Sequence, residues 1–347
     1  MKKIAVVGYG GQGAWHADRL LKSDVATLWG IYDIAEKRCL AAKEKGIRVY
    51  ESFEEVLQDK EVDAVVIATP NNSHKQLVID ALNAGKNVIC EKPVEMSVAA
   101  LDEMIAASKQ SQKLFTIHQN RRYDVDFMAV KQVAHSGEIG EIINLESRIH
   151  GSRGIPSDWR CTKKCGGGMI LDWGVHLIDQ ILQIIPDKIT SVYCETTHIT
   201  NNEVDDGFKL SIHFEGNKRA YVEVGTYNFI HLPRFYMQCK NGTLLLNNWQ
   251  ENATVNKLTA WQEKDVTPVQ TAAGITKTMA PRDELTIDSY TIDIPKSDVH
   301  DFYRNFCSAI EGKCEPIVKL YEVRRVLRVM EAAFKSAETK QVIKEDI

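Results

Sequence analysis

The 347-residue sequence holds no long run of lysine or arginine, no uninterrupted apolar segment of membrane-spanning length, and no internal repeat. Each absence removes a class of function. Lys+Arg 43 against Asp+Glu 47 leaves a formal net charge of −4. Without a basic patch, neither nucleic acid nor an anionic membrane is the expected partner. A bilayer-crossing helix needs about 20 consecutive apolar residues. The apolar run in MKKIAVVGYGGQG is too short for a signal-peptide core and breaks on glycines, so a cytoplasmic protein is expected. Eight cysteines are scattered along the chain, and only Cys161 and Cys165 are spaced like metal ligands. Structural zinc sites usually bring a second such pair. Reduced thiols and no metal are therefore expected.

What is present suits two domains, with 44% apolar and 26% charged residues and enough length for two cores. Residues 1–121 alternate strand-like Val/Ile runs with helical segments. They predict an α/β domain on a parallel sheet covered by helices, including a short strand at 48–52. Residues 122–347 predict an α+β domain. Helices near 126–137, 169–185 and the C-terminus flank successive alternating strands of a large, mostly antiparallel open sheet. Residues 262–296 show little periodicity and read as a long loop, a lid or an oligomer arm.

Gly8-Tyr9-Gly10-Gly11-Gln12-Gly13 follows a strand, opens a helix, and precedes Asp33 by twenty residues at the end of the second strand. That context turns a weak motif into a dinucleotide site. Gly8 permits the tight turn, Gly10 admits the pyrophosphate, and Gly13 lets helix pack against sheet. Asp33 would accept from the adenosine ribose and repel a 2′-phosphate, favouring NAD over NADP, with Arg38 one turn on as the argument against.

Residues 165–185, CGGGMILDWGVHLIDQILQII, place Asp172, His176, Asp179 and Gln183 on one helical arc. The ordinary reading is a solvent stripe. This helix contains no Lys, Arg or Glu, so the alternative is a greasy helix presenting an acid and an imidazole to a cleft.

Taken in order, the glycine turn, ATPNNSH (68–74), EKP (91–93), QNRR (119–122) and GGG-x3-D-x3-H (166–176) resemble the family of glucose–fructose oxidoreductase, inositol 2-dehydrogenase and rhizopine-catabolism proteins (Gfo/Idh/MocA). The resemblance spans the chain and implies an NAD-linked oxidoreductase with a Rossmann domain. It places Thr69, Pro70, Asn71, His74, Glu91 and Gln119 along the cofactor, and Trp159 and Arg160 near cofactor and substrate. It implies the catalytic trio Lys92, Asp172 and His176. His176 would be the base, oriented by Asp172, with Lys92 stabilising the alkoxide. Asp179, Arg122, Trp159 and Tyr236 are expected at the substrate, although Trp159 equally suits core packing and Arg122 a structural ion pair. His150 is read as structural.

The stretch at 158–180, with GITKTMAPR at 274–282, resembles a branch acting on glycoside 3-hydroxyls. The substrate this implies is a pyranoside, with an inositol or free sugar as the alternative. Two variants remain: redox-assisted glycoside cleavage with retained NAD, and a non-catalytic NAD- or sugar-sensing regulator. The alternation of the C-terminal strands hints at a homo-oligomer, a dimer or tetramer.

Overall fold

The computed structural model describes residues 1–260, 266–282 and 284–347. Five strands open the chain: β1 (Lys2–Val7), β2 (Ala26–Tyr32), β3 (Ala64–Ile67), β4 (Asn87–Cys90) and β5 (Phe115–Ile117). They form a parallel sheet in the order β2-β1-β3-β4-β5. Helices α1 (Gly11–Leu20), α2 (Glu36–Glu44), α3 (Phe53–Gln58), α4 (His74–Asn83) and α5 (Val98–Ser111) alternate with them. β3 and β4 are buried at every position, as happens when helices cover both faces of a sheet. The strand expected at 48–52 shrinks to one parallel bridge between Ile31 and Val49. With that bridge counted outside β2, the order is that of a dinucleotide-binding sheet. Its direction reverses between β1 and β3, whose carboxyl ends open a crevice.

Next come α6 (Val125–Ser136), β6 (Ile142–His150), α7 (Val175–Ile184), β7 (Ile189–Thr197), β8 (Gly207–Phe214) and β9 (Arg219–Gly225). Then follow β10 (Phe235–Cys239), β11 (Gly242–Leu246), β12 (Ala253–Leu258), β13 (Val269–Thr271), β14 (Gly274–Thr276) and β15 (Ile287–Ile292). Helices α8 (Asp301–Ile310) and α9 (Leu320–Thr339) and strand β16 (Ile343–Lys344) end the chain. Among the described residues nine strands pair in the order β15-β12-β11-β10-β6-β9-β8-β7-β16, and only β6 and β9 run parallel. In β8, Phe208, Leu210, Ile212 and Phe214 are buried in alternation. Each such side chain contributes about 1.5–3 kcal/mol of burial.

The loop expected over 262–296 is partly structured. β13 and β14 form a hairpin, and β15 pairs with β12 from Ile292–Ala253 to Ile287–Leu258 as an edge strand. Its sequence, IDSYTI, carries too few apolar residues to announce a strand covered on one face. Residues 262–265 and 283 of that loop reading, and residue 261 before it, lie outside the described residues. The C-terminal helices cross the boundary placed at 121: Tyr303 Oη meets His16 Nδ1 at 2.6 Å, and Arg324 grips Asp102 at 2.8 and 3.0 Å. Among the described residues, no helix is long and apolar enough to cross a membrane.

Candidate active site

The glycine turn is built from close approaches. Gly8 sits at φ +89°, and a Cβ on Gly13 would lie 1.7 Å from the Gly8 carbonyl oxygen, so neither position admits a side chain. A Cβ on Gly11, the first residue of α1, would meet nothing within 4 Å. This leaves an open cradle at a helix N-terminus, where amides and dipole suit the pyrophosphate of NAD. Asp33 braces the turn: Oδ2 accepts the Tyr9 N–H at 2.6 Å and Oδ1 the Ala35 N–H at 2.8 Å. Arg38 Nη1 donates to the same carboxylate at 3.2 Å, and its guanidinium lies about 3.5 Å from a Cβ built on Gly10. Anion and cation thus meet where the adenosine ribose is expected. In Asp33→Ser the anion goes and Arg38 is released for a 2′-phosphate. The expected result is at least a tenfold shift in the NADP to NAD ratio of kcat/KM; an unchanged ratio assigns discrimination elsewhere.

From this turn a cleft of about 1020 Å³ runs past Thr69, Pro70 and Asn71 to Lys92, Asp172 and His176. Lys92, just beyond β4, donates to the Asp172 carboxylate at 3.0 Å and to its backbone carbonyl at 2.9 Å. Arg160 Nε holds the other carboxylate oxygen at 3.0 Å. Burial alone would raise the Asp172 pKa, but the charges of Lys92 and Arg160 hold its carboxyl below the usual range. Asp172 lies in a wide turn, Ile170–Gly174, of π-helical form ahead of α7, a distortion frequent at functional sites.

The three glycines before it answer to contacts. A Cβ on Gly167 would lie 2.2 Å from the Arg160 carbonyl oxygen, and one on Gly168 2.3 Å from the Asp205 carboxylate. That carboxylate accepts the Ile170 N–H at 2.8 Å and so caps the helical stretch that carries Asp172 and His176. The Asn71 side chain ties the same loop to the nucleotide half through the Gly166 carbonyl, at 3.0 Å.

His176 is 4% exposed and lines the cleft; its Nδ1 is buried with no hydrogen-bond partner. Burial, then the charges of Lys92 and Arg121, hold its imidazole well below its ordinary pKa. The ring is therefore neutral at neutral pH, with Nε2 the nitrogen left for a ligand. Trp173 packs edge-on against it at 6.0 Å between ring centres.

Residues 2–119 match the oxidoreductase family with an NAD-binding Rossmann fold, and residues 127–245 match the GFO/IDH/MocA C-terminal domain. The chain belongs to the Gfo/Idh/MocA oxidoreductase family. A crystal structure of an NAD-binding protein from Listeria innocua superposes with TM-score 0.95 at 43% identity, covering 99% of both chains. Myo-inositol 2-dehydrogenase of Thermotoga maritima is 31% identical over 58% of this chain and 60% of its own length. The scyllo-inositol 2-dehydrogenase (NADP(+)) IolW of Bacillus subtilis is 25% identical over 98% of this chain and 95% of its own. Other curated relatives are matched over only about half their length, 52% and 54%.

In this Gfo/Idh/MocA oxidoreductase, several residues expected at the site are engaged elsewhere. Asp172 makes no hydrogen bond to His176: Lys92 and Arg160 hold its carboxylate, and His176 Nδ1 has no partner. Asp179 faces away from the cleft and forms a two-bond pair with Arg122 at 2.6 and 2.8 Å. Arg122 also binds Glu322 at 2.7 Å and the Ile317 carbonyl at 2.9 Å. Neither residue of that pair lines the cleft. The wide turn and the close packing of α7 redistribute the polar arc that regular helical spacing predicts. His74 is fully buried, its ring holding the Thr69 carbonyl at 2.9 Å and the Pro93 and Val94 carbonyls at 3.1 Å. Gln119 is also buried, with neither amide atom partnered. Tyr236 pairs across strands with Glu146 and Leu245 on the open face of the large sheet, away from the cleft walls.

Glu91 reaches the cleft, but its Oε1 takes both His16 Nε2 at 2.8 Å and His118 Nδ1 at 2.7 Å. Its Oε2 accepts the Lys92 N–H at 3.1 Å. Despite burial, the two histidines hold its carboxyl well below the usual range. Trp159 and Arg160 do line the cleft, stacked with 4.6 Å between guanidinium and ring.

Sequence reasoning missed Asn120, Arg153 and Trp249, which line the cleft; His150, read as structural, borders it too, with a buried ring that accepts the Leu232 N–H at 3.3 Å. Only Trp249 carries a sequence signal, a lone aromatic in the polar turn NNWQEN.

Proposed function

We propose that this protein moves a hydride between NAD and the carbon bearing a ring secondary hydroxyl of a sugar or glycoside. The observation that carries the reading is a neutral imidazole, His176, sharing one cleft with the Lys92 ammonium and the glycine turn. Bound nicotinamide supplies the hydride acceptor or donor. In the oxidative direction, the substrate O–H breaks and its proton passes to His176 Nε2. Lys92, fixed by both the carboxylate and carbonyl of Asp172, stabilises the negative charge growing on that oxygen. Asp172 acts by holding Lys92, and Arg160 by holding Asp172.

The likeness of residues 158–180 to the glycoside branch supports the 3-hydroxyl of a pyranoside. The names of the Thermotoga and Bacillus relatives support a cyclitol as the second reading, and the same residues would serve it. The test follows nicotinamide absorbance while protein and NAD+ meet a panel of pyranosides, free sugars and inositols. Reduction with one class is the expected result. Silence across the panel with NAD bound overturns an exchanging dehydrogenase.

A homo-oligomer belongs to the same proposal. Tyr193, Ser211, Tyr221, Glu146, Tyr236 and Leu245 are successive cross-strand neighbours, forming one row over the face opposite α7 and α9. A second copy would cover that row. Sedimentation should give a multiple of the 39.1 kDa chain mass; a monomer at micromolar concentration overturns this.

A further inference from the structure

The cleft continues past His176 along a wall of rings. Trp173 stands 6.0 Å from His176 between ring centres, and Trp249 stands 5.8 Å from Trp173. Trp249 comes from the turn after β11, far from both in sequence, and it remains 39% exposed. An indole left so open inside a cleft keeps a flat apolar face for a ligand.

Its position is held on several sides. Arg121 lies 4.2 Å from the Trp173 ring and 5.2 Å from the Trp249 ring, and Arg234 lies 5.4 Å from Trp249. Arg234 is itself buried against Ser147 and Gln180 at 2.6 and 2.8 Å. The turn is closed by Asn248 Oδ1, which accepts the Gln250 and Glu251 N–H groups at 3.0 and 3.2 Å. A platform fixed before binding costs little ordering entropy when it is used.

We infer that Trp249 is the outer subsite of a two-ring substrate. The oxidised ring lies at His176 and Trp173, and a second flat-faced ring, the aglycone of a glycoside or the next sugar of a disaccharide, stacks on Trp249. The inference rests on His176 marking the reacting ring. Trp249 lies one ring spacing beyond Trp173, about the step from one pyranose to the next. A free monosaccharide or inositol ends before Trp249 and gains nothing from it. The substrates favoured are therefore glycosides, above single-ring polyols.

The test compares Trp249→Ala and Trp249→Phe with the wild type on a disaccharide, an aryl pyranoside and a one-ring methyl pyranoside. In Trp249→Ala, the ratio of kcat/KM for two-ring over one-ring substrates should fall about tenfold. Trp249→Phe, which keeps a ring and the fold, should hold that ratio within about threefold of the wild type. An unchanged ratio in Trp249→Ala overturns the subsite. Comparing the disaccharide with the aryl pyranoside tells which second ring it takes.

Calorimetric binding of the same compounds in the presence of NAD makes the outcome independent of turnover. Binding lost in Trp249→Ala, with no turnover in any form, keeps the subsite and overturns the dehydrogenase reading. Wild-type binding of no two-ring compound overturns the subsite, while turnover of one-ring substrates still leaves the dehydrogenase standing.

Discussion

Replacing His176 by alanine should lower turnover by 10²–10⁴-fold, the usual contribution of a positioned general base, while NAD binding is kept. The separation follows from place: His176 sits at the start of α7, and the residues cradling the pyrophosphate lie on the turn before α1. The pH profile gives a second, independent reading. A base must be unprotonated to act, and burial with Lys92 and Arg121 lowers the pKa of His176 from 6.5. Activity should therefore persist below pH 6.5 before it falls, so the acid limb of kcat/KM lies on the acid side of an ordinary histidine. Near-normal turnover in His176→Ala removes the assignment. An acid limb above pH 6.5 would mean that another group limits the reaction.

Arg122→Ala should act on stability rather than on substrate binding. Arg122 and Asp179 have side chains 5% and 3% exposed. Removing the guanidinium strands the Asp179 charge in the core and frees the Glu322 carboxylate and Ile317 carbonyl it also holds. Breaking one side of a buried pair costs about 3–5 kcal/mol, which lowers the melting temperature of a chain this long by roughly 5 °C. The double variant Arg122→Met with Asp179→Leu should recover most of that loss, because no charge is stranded in the core and Glu322, 22% exposed, can turn to water. Were Arg122 a substrate ligand, the single variant would keep its melting temperature and raise KM. Calorimetric melting beside initial rates separates the two results.

The two variants also mark where sequence reasoning held and where it failed. Asp172, His176, Asp179 and Gln183 share an arc by spacing, yet they meet four different environments. Asp172 meets Lys92 and Arg160, His176 meets the cleft, Asp179 meets Arg122, and Gln183 receives Lys131 Nζ at 3.3 Å. A helical wheel gives the angle about one axis and nothing about the neighbour on each side. The resemblance sets His74 beside the cofactor with its loop: the loop does line the cleft, while the ring turns inward to three carbonyls. Trp249 shows the opposite failure: marked only as a lone aromatic in a polar turn, it reaches the cleft because β11 lies two strands from β6, whose end also lines it.

The parallel sheet and the glycine turn with Asp33 were legible along the chain, and the resemblance of its motifs grouped Lys92, Asp172 and His176, which line one cleft. These rest on short-range facts: burial of continuous Val/Ile runs, the φ and close approaches only glycine allows, and motifs read in order. Tertiary structure alone decided which polar groups face the cleft and which are paired in the core. It also decided that Asp172 bonds Lys92 and Arg160 rather than His176, and that Trp173 and Trp249 both line the cleft. The physical reason is that a side chain's charge state and partner depend on neighbours far away in sequence. Spacing along the chain does not encode who those neighbours are.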